Sequence, residues 1–587
     1  MMDKSSLLLD LADLPADAAF DLVVIGAGGA GMAAALFAAI DGAKVLLAEL
    51  SEYVGGTTAL SGGTAWVPGT PHADAVAPED TLASAASYLD QAIGERAPRA
   101  MRQTLLDNGP AAIARLEANS ELRFRPYARH PDYLSELEGS TVAGRALEPL
   151  PFDGRKLGPL FALLRPPIPE FTVLGGMMVD RTDIHHLLAM KRSFASLRHG
   201  IKLLLRHLRD RLSHPRGTRL VMGNALVARL LYSLAQRDTV SLAMRTSVER
   251  IDRVGGRVAA VGLTQNGQRR TVKIGRAVVL ASGGFNRHAQ RRAEWLPGID
   301  AAWCPGAPGH TGAAHDLALG LGAAYGRDGL SPAFWAPVST RQRSDGTTAV
   351  FPHFMMDRAK PGMITVDARG ARFVNESTSY HLFALAMQHD ASATPAFLIC
   401  DAEALRRYGI GMVRPGGKGL APFLADGYLT RADSLDGLAS RLGIDAAGLR
   451  ASVAQMNQAA ESGIDELFHR GTTAYQRNMG DAARAGKNPN LGCIAKPPFY
   501  AVRLYPGDIG AATGLATDTR ARVLDTAAQP IPGLYACGND MHSVMGGVYA
   551  GPGITIGPGL VFACIAARDA LAQAIPTARQ QRITETA

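Results

Sequence analysis

Three glycines have the spacing of a turn that binds phosphate. Gly26, Gly28 and Gly31 form a G-x-G-x-x-G pattern, which follows the apolar run 21–25 and precedes the helix-prone stretch Met32–Ile40. In such a turn the first glycine permits the tight bend, the second lets the backbone approach a pyrophosphate, and the third lets helix and strand pack closely. The free N–H groups at the start of the following helix favour negative charge. These residues therefore predict a dinucleotide-binding site.

An acid completes this unit. Glu49 follows a second apolar run, 44–48. A carboxylate at this position can accept hydrogen bonds from the hydroxyl pair of a ribose, and it disfavours a 2′-phosphate, which argues against NADP. Gly29 and Ala30 lie inside the turn, and we expect them to contact the same ligand.

Further loops rich in glycine and hydroxyl groups indicate FAD rather than NAD. One loop, 55–63, follows the second strand directly, and two others, 282–284 and 537–540, each follow an apolar run. Four separated loops around one ligand suit the greater length of FAD. The expected FAD contacts beyond the first turn are Gly56, Thr57, Thr58, Ser61, Gly62, Gly63, Val248, Ser282, Gly283, Gly538, Asn539, Gly553, Thr555 and Ile556.

The bulk properties exclude several classes of function. The chain has 587 residues, a net charge of +8 and 47% hydrophobic residues, which is typical of a globular protein of two or three domains. No zinc-ligand spacing or nucleic-acid-binding motif accompanies the positive charge, so we expect neither a metal site nor a nucleic-acid partner. The five cysteines form no CxxC pattern, and Asp10 and Asp13 interrupt the apolar stretch Leu7–Leu14. We therefore expect a cytoplasmic protein without a signal peptide.

Between residues 20 and 571 the sequence resembles the flavoprotein superfamily of fumarate reductases, succinate dehydrogenases and 3-ketosteroid dehydrogenases. The resemblance implies an α/β fold, with a discontinuous Rossmann-like FAD-binding domain, 16–335 and 500–580, and an inserted α+β catalytic cap domain, 336–499. The covalently flavinylated members carry a histidine in the loop after the second strand, and Ser51–Gly63 contains none. The FAD should therefore be bound noncovalently.

Two motifs distinguish the branches of this superfamily. In the fumarate-reducing branch, an arginine that protonates the substrate follows a motif similar to Arg372–Glu376, and here Tyr380 occupies its place. That branch also has an arginine near the C-terminus that binds a carboxylate, whereas Ser543–Gly553 contains no cation. A dicarboxylate would lose its solvation without gaining charge partners, which is strongly unfavourable. Succinate and fumarate are therefore excluded as substrates.

The 3-ketosteroid Δ1-dehydrogenases carry a tyrosine at the first of these places and a tyrosine-proline-glycine-x-glycine motif at the second. Tyr380 matches the first, and the stretch from Tyr549 to Gly553 is similar to the second, with Ala550 in place of the proline. The resemblance implies an enzyme that dehydrogenates a hydrophobic ketone, a 3-oxosteroid, at the 1(2) position and passes the electrons to an external acceptor. The alternatives are a 3-oxosteroid 4-dehydrogenase and a dehydrogenase or reductase of a non-steroid cyclic ketone or enone.

Such a reaction removes a proton next to the ketone and a hydride from the neighbouring carbon, and each task needs its own groups. Tyr549 Oη and the N–H of Gly553 can donate to the ketone oxygen, where negative charge develops. Tyr380 is the expected base, provided that a neighbouring donor or charge lowers its pKa. The resemblance assigns a second active-site phenol to Tyr133, with Tyr127 as the rival.

The stretch Lys191–Arg219 is basic, with nine lysines and arginines and one acid, and its central part, Ile201–Leu212, has apolar residues at helical spacing. One interpretation is a surface helix that packs its leucine face on the core. The other is a helix that lies on a membrane surface and takes a lipophilic substrate from the bilayer. For Trp335 we favour core packing over a place in the substrate cavity.

Overall fold

The computed structural model describes residues 7–354, 357–483 and 488–573. Its α-helices are α1 (Gly29–Ile40), α2 (Leu82–Ile93), α3 (Arg99–Asn119), α4 (Arg181–Ala189), α5 (Phe194–Asp210), α6 (Met222–Leu234), α7 (Ala289–Trp295), α8 (Ala313–Gly320), α9 (Tyr380–His389), α10 (Ala402–Tyr408), α11 (Ala421–Ala425), α12 (Leu435–Leu442), α13 (Ala446–Ser462), α14 (Ala474–Met479) and α15 (Ile556–Ala572). Its strands are β1 (Ala19–Ile25), β2 (Val45–Ala48), β3 (Ala65–Trp66), β4 (Phe124–Pro126), β5 (Ala146–Pro149), β6 (Phe152–Asp153), β7 (Thr172–Val173), β8 (Met177–Met178), β9 (Arg219–Leu220), β10 (Val240–Ala243), β11 (Thr246–Val254), β12 (Arg257–Gln265), β13 (Gln268–Leu280), β14 (Ala333–Gln342), β15 (Thr348–Pro352), β16 (Met363–Val366), β17 (Ala396–Cys400), β18 (Thr430–Ala432), β19 (Phe499–Ala511), β20 (Arg522–Leu524) and β21 (Pro530–Ala536).

The larger sheet gathers the glycine loops at one edge. It has eight strands in the order β10-β2-β1-β13-β12-β11, with β21 beside β13 and β20 beside β21. Strands β10, β2, β1, β13 and β21 pair in parallel. Ile25, at the end of β1, pairs with Ala48 of β2 and Leu280 of β13, and Leu280 pairs with Ala536 of β21. Because these strands end at the same edge, the loops that follow them meet there.

The predicted strand-turn-helix-strand unit is confirmed, and small residues hold it together. Most of strand β1 and nearly all of α1 are buried. A Cβ on Gly31 would lie 1.8 Å from the carbonyl oxygen of Gly26, so only glycine allows this approach of helix to strand. The apolar run before the loop 282–284 forms the end of a long strand, because β13 extends from Gln268 to Leu280 and pairs antiparallel with β12.

The second sheet is antiparallel. Along the sequence, its strands come after β13 and before β20 of the larger sheet. Its order is β15-β14-β19-β17-β16, with β18 beside β19. The domain boundaries expected at 335/336 and 499/500 fall within β14 and β19, which pair with each other. The domain division itself stays a prediction, and residues 574–580 of its last segment lie outside the described residues.

Helix α5 turns most of its apolar side chains away from the protein. Its buried residues are Ser196, Gly200, Leu203, His207 and Asp210. By contrast, the side chains of Phe194, Leu205 and Leu208 are 81%, 62% and 63% exposed. The expectation that the leucine face packs on the core is therefore wrong, because small and polar residues occupy most of the inward face. In the part of the chain that the structure describes, no helix is long and apolar enough to cross a membrane.

Candidate active site

One cavity of 540 Å³ is lined both by the residues expected to bind FAD and by the expected catalytic tyrosines. Every residue predicted to contact FAD lines it, with the exception of Gly31, which instead packs on Gly26. Tyr133, Tyr380 and Tyr549 line the same cavity. The loops at the edge of the larger sheet and the tyrosines therefore belong to a single site.

The glycine turn leaves open space on its cavity side. A Cβ on Gly28 would meet no atom within 4 Å. On the other side the turn is tightly packed, since Gly26 has a φ of 102° and its Cβ would lie 2.5 Å from the carbonyl oxygen of Ala281. The N-terminus of α1 thus faces a space that a pyrophosphate can enter.

Glu49 lies at the cavity wall with its carboxylate fixed by neighbouring donors. Its Oε2 accepts from the N–H of Ala27 at 2.8 Å, and its Oε1 accepts from the N–H and the hydroxyl of Ser51 at 2.9 and 2.7 Å. Each carboxylate oxygen can accept more than one hydrogen bond. The contact between Glu49 and a ribose stays a prediction.

Asp540 joins the loop 282–284 to the loop 537–540, a role that no local motif predicts. Its buried carboxylate accepts from the N–H groups of Ser282 and Gly284, at 2.5 and 2.8 Å, and His315 Nε2 lies 3.1 Å away. Burial alone would raise the pKa of Asp540, but His315 and the backbone donors hold that pKa below its usual value. The ionised carboxylate fixes the loop at Ser282 against the loop that contains Asn539. Only the fold brings these distant segments together.

His310 lines the cavity and lies beside the loop that contains Thr57. Its Nε2 lies 3.2 Å from Thr57 Oγ1, which also accepts from the N–H of Ala307 at 2.9 Å. The Nδ1 atom is buried and has no partner among the described residues. Burial lowers the pKa of His310 to about 4, so the ring is neutral at pH 7.

Arg165 is a second residue of the cavity wall that was not predicted from the sequence. Its Nη2 donates to Ser51 Oγ at 3.0 Å, and its guanidinium lies 5.5 Å from the ring centroid of Tyr53. Its Nε is buried without a partner among the described residues. Because Ser51 also binds Glu49, Arg165 belongs to the same end of the site as Glu49. No local motif marks this arginine in the sequence.

Three tyrosines meet at another part of the same cavity. Tyr133 Oη donates to Tyr380 Oη at 3.2 Å. The ring centroids of Tyr380 and Tyr549 are 5.0 Å apart, and those of Tyr133 and Tyr549 are 5.5 Å apart in a stacked arrangement. Phe354 packs edge-on against Tyr380, and Phe334 packs edge-on against Tyr549. The rings therefore restrain one another with their hydroxyl groups close together.

A buried acid holds the loop that carries Tyr133. Asp132 Oδ1 accepts from the indole N–H of Trp66 at 2.8 Å, and its Oδ2 pairs with Arg145 at 2.8 Å. The N–H of Tyr133 donates to the carbonyl of Ala550 at 2.9 Å. These contacts place Tyr133 against the loop that contains Tyr549.

The rival phenol, Tyr127, has a different neighbour. Its hydroxyl lies 3.3 Å from Thr64 Oγ1, and it lines the cavity without contacting Tyr380. Tyr380 is the first residue of α9, whose N-cap, Ser379, accepts from the helix backbone. The helix start thus fixes the Tyr380 backbone, and Tyr133 rather than Tyr127 reaches its hydroxyl.

The N–H of Gly553 is available to a ligand. The carbonyl of Gly553 accepts from the N–H groups of Trp66 and Gly557, at 3.1 and 2.9 Å, but its own N–H donates to no described residue. Its φ is 93°, and a Cβ would lie 2.4 Å from the carbonyl oxygen of Thr64. Glycine is therefore required here, and the free N–H and Tyr549 lie in one loop at the cavity.

The expected lowering of the pKa of Tyr380 is wrong for this arrangement. Burial, followed by the neighbouring phenols Tyr133 and Tyr549, raises the pKa of Tyr380 well above its usual value. Burial also raises the pKa of Tyr133 and of Tyr549. At pH 7 all three phenols are neutral, and Tyr133 remains a hydrogen-bond donor.

Much of the remaining cavity wall is apolar. The apolar lining includes Ile168, Phe171, Val179, Ile184, Phe334, Phe351, Phe354 and Ile509. Trp335 lies outside this lining, where its indole N–H donates to Ser331 Oγ at 2.7 Å in the core. The expectation of core packing for Trp335 is confirmed. The cavity thus combines an apolar region with a few polar groups beside the tyrosines.

The family comparison agrees with the geometry of the site. The model of the FAD binding domain family matches residues 21–556. The chain is 36% identical over 559 residues to 4-oxocyclohex-2-ene-1-carboxylate 5-dehydrogenase of Sinomonas cyclohexanicum, covering 94% of this chain and 93% of the relative. It is 34% identical over 571 residues to 3-oxosteroid 1-dehydrogenase of Mycolicibacterium smegmatis, covering 94% and 98%.

A solved structure extends the similarity to three dimensions. It is the 3-ketosteroid Δ1-dehydrogenase of Sterolibacterium denitrificans in complex with 1,4-androstadiene-3,17-dione, with a TM-score of 0.88 and 35% identity. The match covers 94% of this chain and 99% of the other. The open space beside Gly28 at the start of α1 fits the pyrophosphate of FAD, while noncovalent attachment stays a prediction. The chain is a FAD-dependent oxidoreductase and belongs to the flavoprotein family that includes the 3-ketosteroid Δ1-dehydrogenases.

Proposed function

We propose that the protein oxidises a 3-oxosteroid by removing one hydrogen from each of carbons 1 and 2, next to the ring ketone. The observation that carries this proposal is the convergence of Tyr380, Tyr549 and the free N–H of Gly553 on the FAD cavity. A base and two carbonyl donors are the groups that formation of an enolate-like transition state requires. The largely apolar wall suits a hydrophobic ring system.

Each residue then has a separate task. The ketone oxygen accepts from Tyr549 Oη and the N–H of Gly553, which stabilises the negative charge as the carbon-2 proton leaves. Tyr380, once deprotonated, takes that proton at Oη, and Tyr133 Oη donates to the Tyr380 oxygen and stabilises its phenolate. FAD, which the glycine loops would hold, would supply the acceptor for the hydride from carbon 1 and would pass the electrons to an external acceptor.

The named relatives support two substrate classes. Some are 3-oxosteroid 1-dehydrogenases, and others act on 4-oxocyclohexane- or 4-oxocyclohexene-carboxylates. A dehydrogenase of a non-steroid cyclic ketone is therefore the second candidate function, with the same tyrosines in the same roles. Oxidation of a 3-oxosteroid at the 4-position would use the same kind of chemistry.

Anaerobic reduction of the flavin by different ketones tests this proposal. We expect a 3-oxosteroid to bleach the visible flavin absorbance and to yield the 1(2)-unsaturated product, identified by mass spectrometry and NMR. A panel of 3-oxosteroids and simple cyclohexanones separates the two candidates. Failure of every cyclic ketone to bleach the flavin would contradict both.

We also propose that α5 lies on a membrane surface that contains anionic lipids. Its outward face carries exposed apolar side chains, and Leu212, just beyond the helix, is 86% exposed. The exposed cations around this face are Lys191, Arg192, Arg198, Lys202 and Arg209, none of which forms an ion pair with a described carboxylate. Apolar side chains flanked by cations suit the interface of an anionic leaflet.

The proposed membrane surface on α5 lies next to a helix that lines the cavity. Helix α4 precedes α5 and packs against it, and Arg181 and Ile184 of α4 line the cavity. A hydrophobic ketone that leaves the bilayer beside α5 would therefore enter the protein near α4.

Cosedimentation with lipid vesicles tests the membrane contact. We expect binding to vesicles that contain phosphatidylserine, with weaker binding at high salt and to pure phosphatidylcholine. Leu208→Asp should weaken binding by about tenfold or more, because a buried leucine contributes about 1.5–3 kcal/mol. Leu467→Asp, at a similarly exposed site remote in sequence from α5, is the matched control. Absence of wild-type binding at low salt would contradict the proposal.

A further inference from the structure

One cation in the cavity wall near the tyrosines has no acidic partner. Arg181, the first residue of α4, lines the cavity together with Tyr127 and His130. Its guanidinium lies 4.8 Å from the ring centroid of Tyr127, and its Nη2 makes a long contact of 3.5 Å to the carbonyl oxygen of Arg129. No described carboxylate forms an ion pair with it.

Two acids that line the cavity with Arg181, Glu148 and Asp180, are already engaged. Glu148, which also lines the cavity, accepts from Arg125 Nε at 2.7 Å. Asp180 caps α4 and pairs with Arg219 at 3.2 Å. The Arg181 guanidinium therefore keeps donors that these neighbouring carboxylates do not use.

The other basic groups that line the cavity lie elsewhere, are neutral or already have partners. Arg165 lies at the Glu49 end of the site, where it donates to Ser51 Oγ. Burial, followed by the charge of Arg181, lowers the pKa of His130 to about 3, so His130 is neutral. His353 is held between Asp357 and a serine hydroxyl. Arg181 is thus the available cation on the tyrosine side of the described cavity.

We propose that Arg181 binds a carboxylate that the ring ketone carries at a position remote from its carbonyl group. The preferred substrates are then cyclic keto acids, with an apolar body against the wall and an anion at Arg181. A guanidinium suits this role because its planar donors match a carboxylate. The inference rests on the proposed function, since it assumes that the cavity binds a ring ketone.

Matched pairs of keto acid and methyl ester test Arg181. The probes are 4-oxocyclohexanecarboxylate and a 3-oxosteroid with a side-chain carboxylate, each compared with its methyl ester by anaerobic flavin bleaching. In at least one pair we expect the wild type to favour the acid in kcat/KM. Arg181→Met should lower the acid-to-ester ratio by about tenfold or more, the scale of one charge-assisted hydrogen bond. The change should lie in KM, because the carboxylate is bound equally in the ground and transition states.

Two further variants distinguish binding of the carboxylate by Arg181 from a general effect of positive charge near the cavity. Arg129→Met removes a neighbouring exposed cation that does not line the cavity, and it should keep the wild-type ratio. Arg181→Lys keeps the charge without the planar donors and should retain part of the preference. An unchanged ratio in Arg181→Met for both pairs would overturn the assignment of Arg181 and leave the proposed function intact. If no acid or ester reduces the wild-type flavin, the proposed function falls and this inference with it.

Discussion

In the Tyr380→Phe variant, a ketone substrate should reduce the flavin at least about 10²-fold more slowly than in the wild type, which is the scale of general-base catalysis. The phenyl ring keeps the packing against Phe354 and Tyr549, but the oxygen that takes the proton is gone. Rapid mixing under anaerobic conditions measures this step directly. FAD content should be unchanged, because Tyr380 makes no contact that organises the glycine loops.

Exchange of the ketone α-proton with solvent deuterium separates the base from the carbonyl donors. Tyr380→Phe should abolish this exchange. Tyr549→Phe should slow bleaching by a comparable factor, about 10²-fold for one lost oxyanion donor. It should retain slow exchange, since the N–H of Gly553 still donates to the ketone oxygen. Near wild-type turnover by Tyr380→Phe would show that the base is another group, and Tyr133 would be tested next.

Local motifs identified much of the cofactor site. The turn from Gly26 to Gly31 is readable because its requirements are steric and lie within a few residues of one another. The structure adds the reason for each glycine, since Gly28 faces open space whereas Gly31 lies against the Gly26 carbonyl. The tyrosines could be named only through resemblance to a family, because single phenols carry no recognisable spacing.

Residues whose roles depend on contacts with distant parts of the sequence were not predicted. Asp540 and Arg165 are ordinary charged residues in the sequence, and their roles depend on contacts with Ser282 and Ser51 that only the folded chain creates. Helix α5 was recognisable from its apolar spacing. The direction of its apolar face was not, because periodicity alone does not reveal which side of a helix packs inward.

Burial, too, cannot be read from a motif, and it has a direct consequence for pH dependence. A phenol is neutral when protonated, so raising the pKa of Tyr380 keeps it in the inactive acid form to higher pH. The fraction of phenolate then rises about tenfold for each pH unit below that pKa. We expect the rate of flavin reduction at saturating ketone to increase by about 10²-fold between pH 7 and pH 9, if proton removal limits this step.

The same stopped-flow experiment across a pH series measures this profile, with FAD occupancy and circular dichroism confirming that the protein stays folded. In Tyr380→Phe the remaining activity should lose this slope, because no Tyr380 phenolate can form. Tyr127→Phe, which removes a cavity phenol without a contact to Tyr380, should keep it. If the wild-type rate instead reached a plateau below pH 8, the base would have a pKa below 8. That result would contradict the raised pKa that we infer from the burial of Tyr380 among Tyr133, Tyr549 and Phe354.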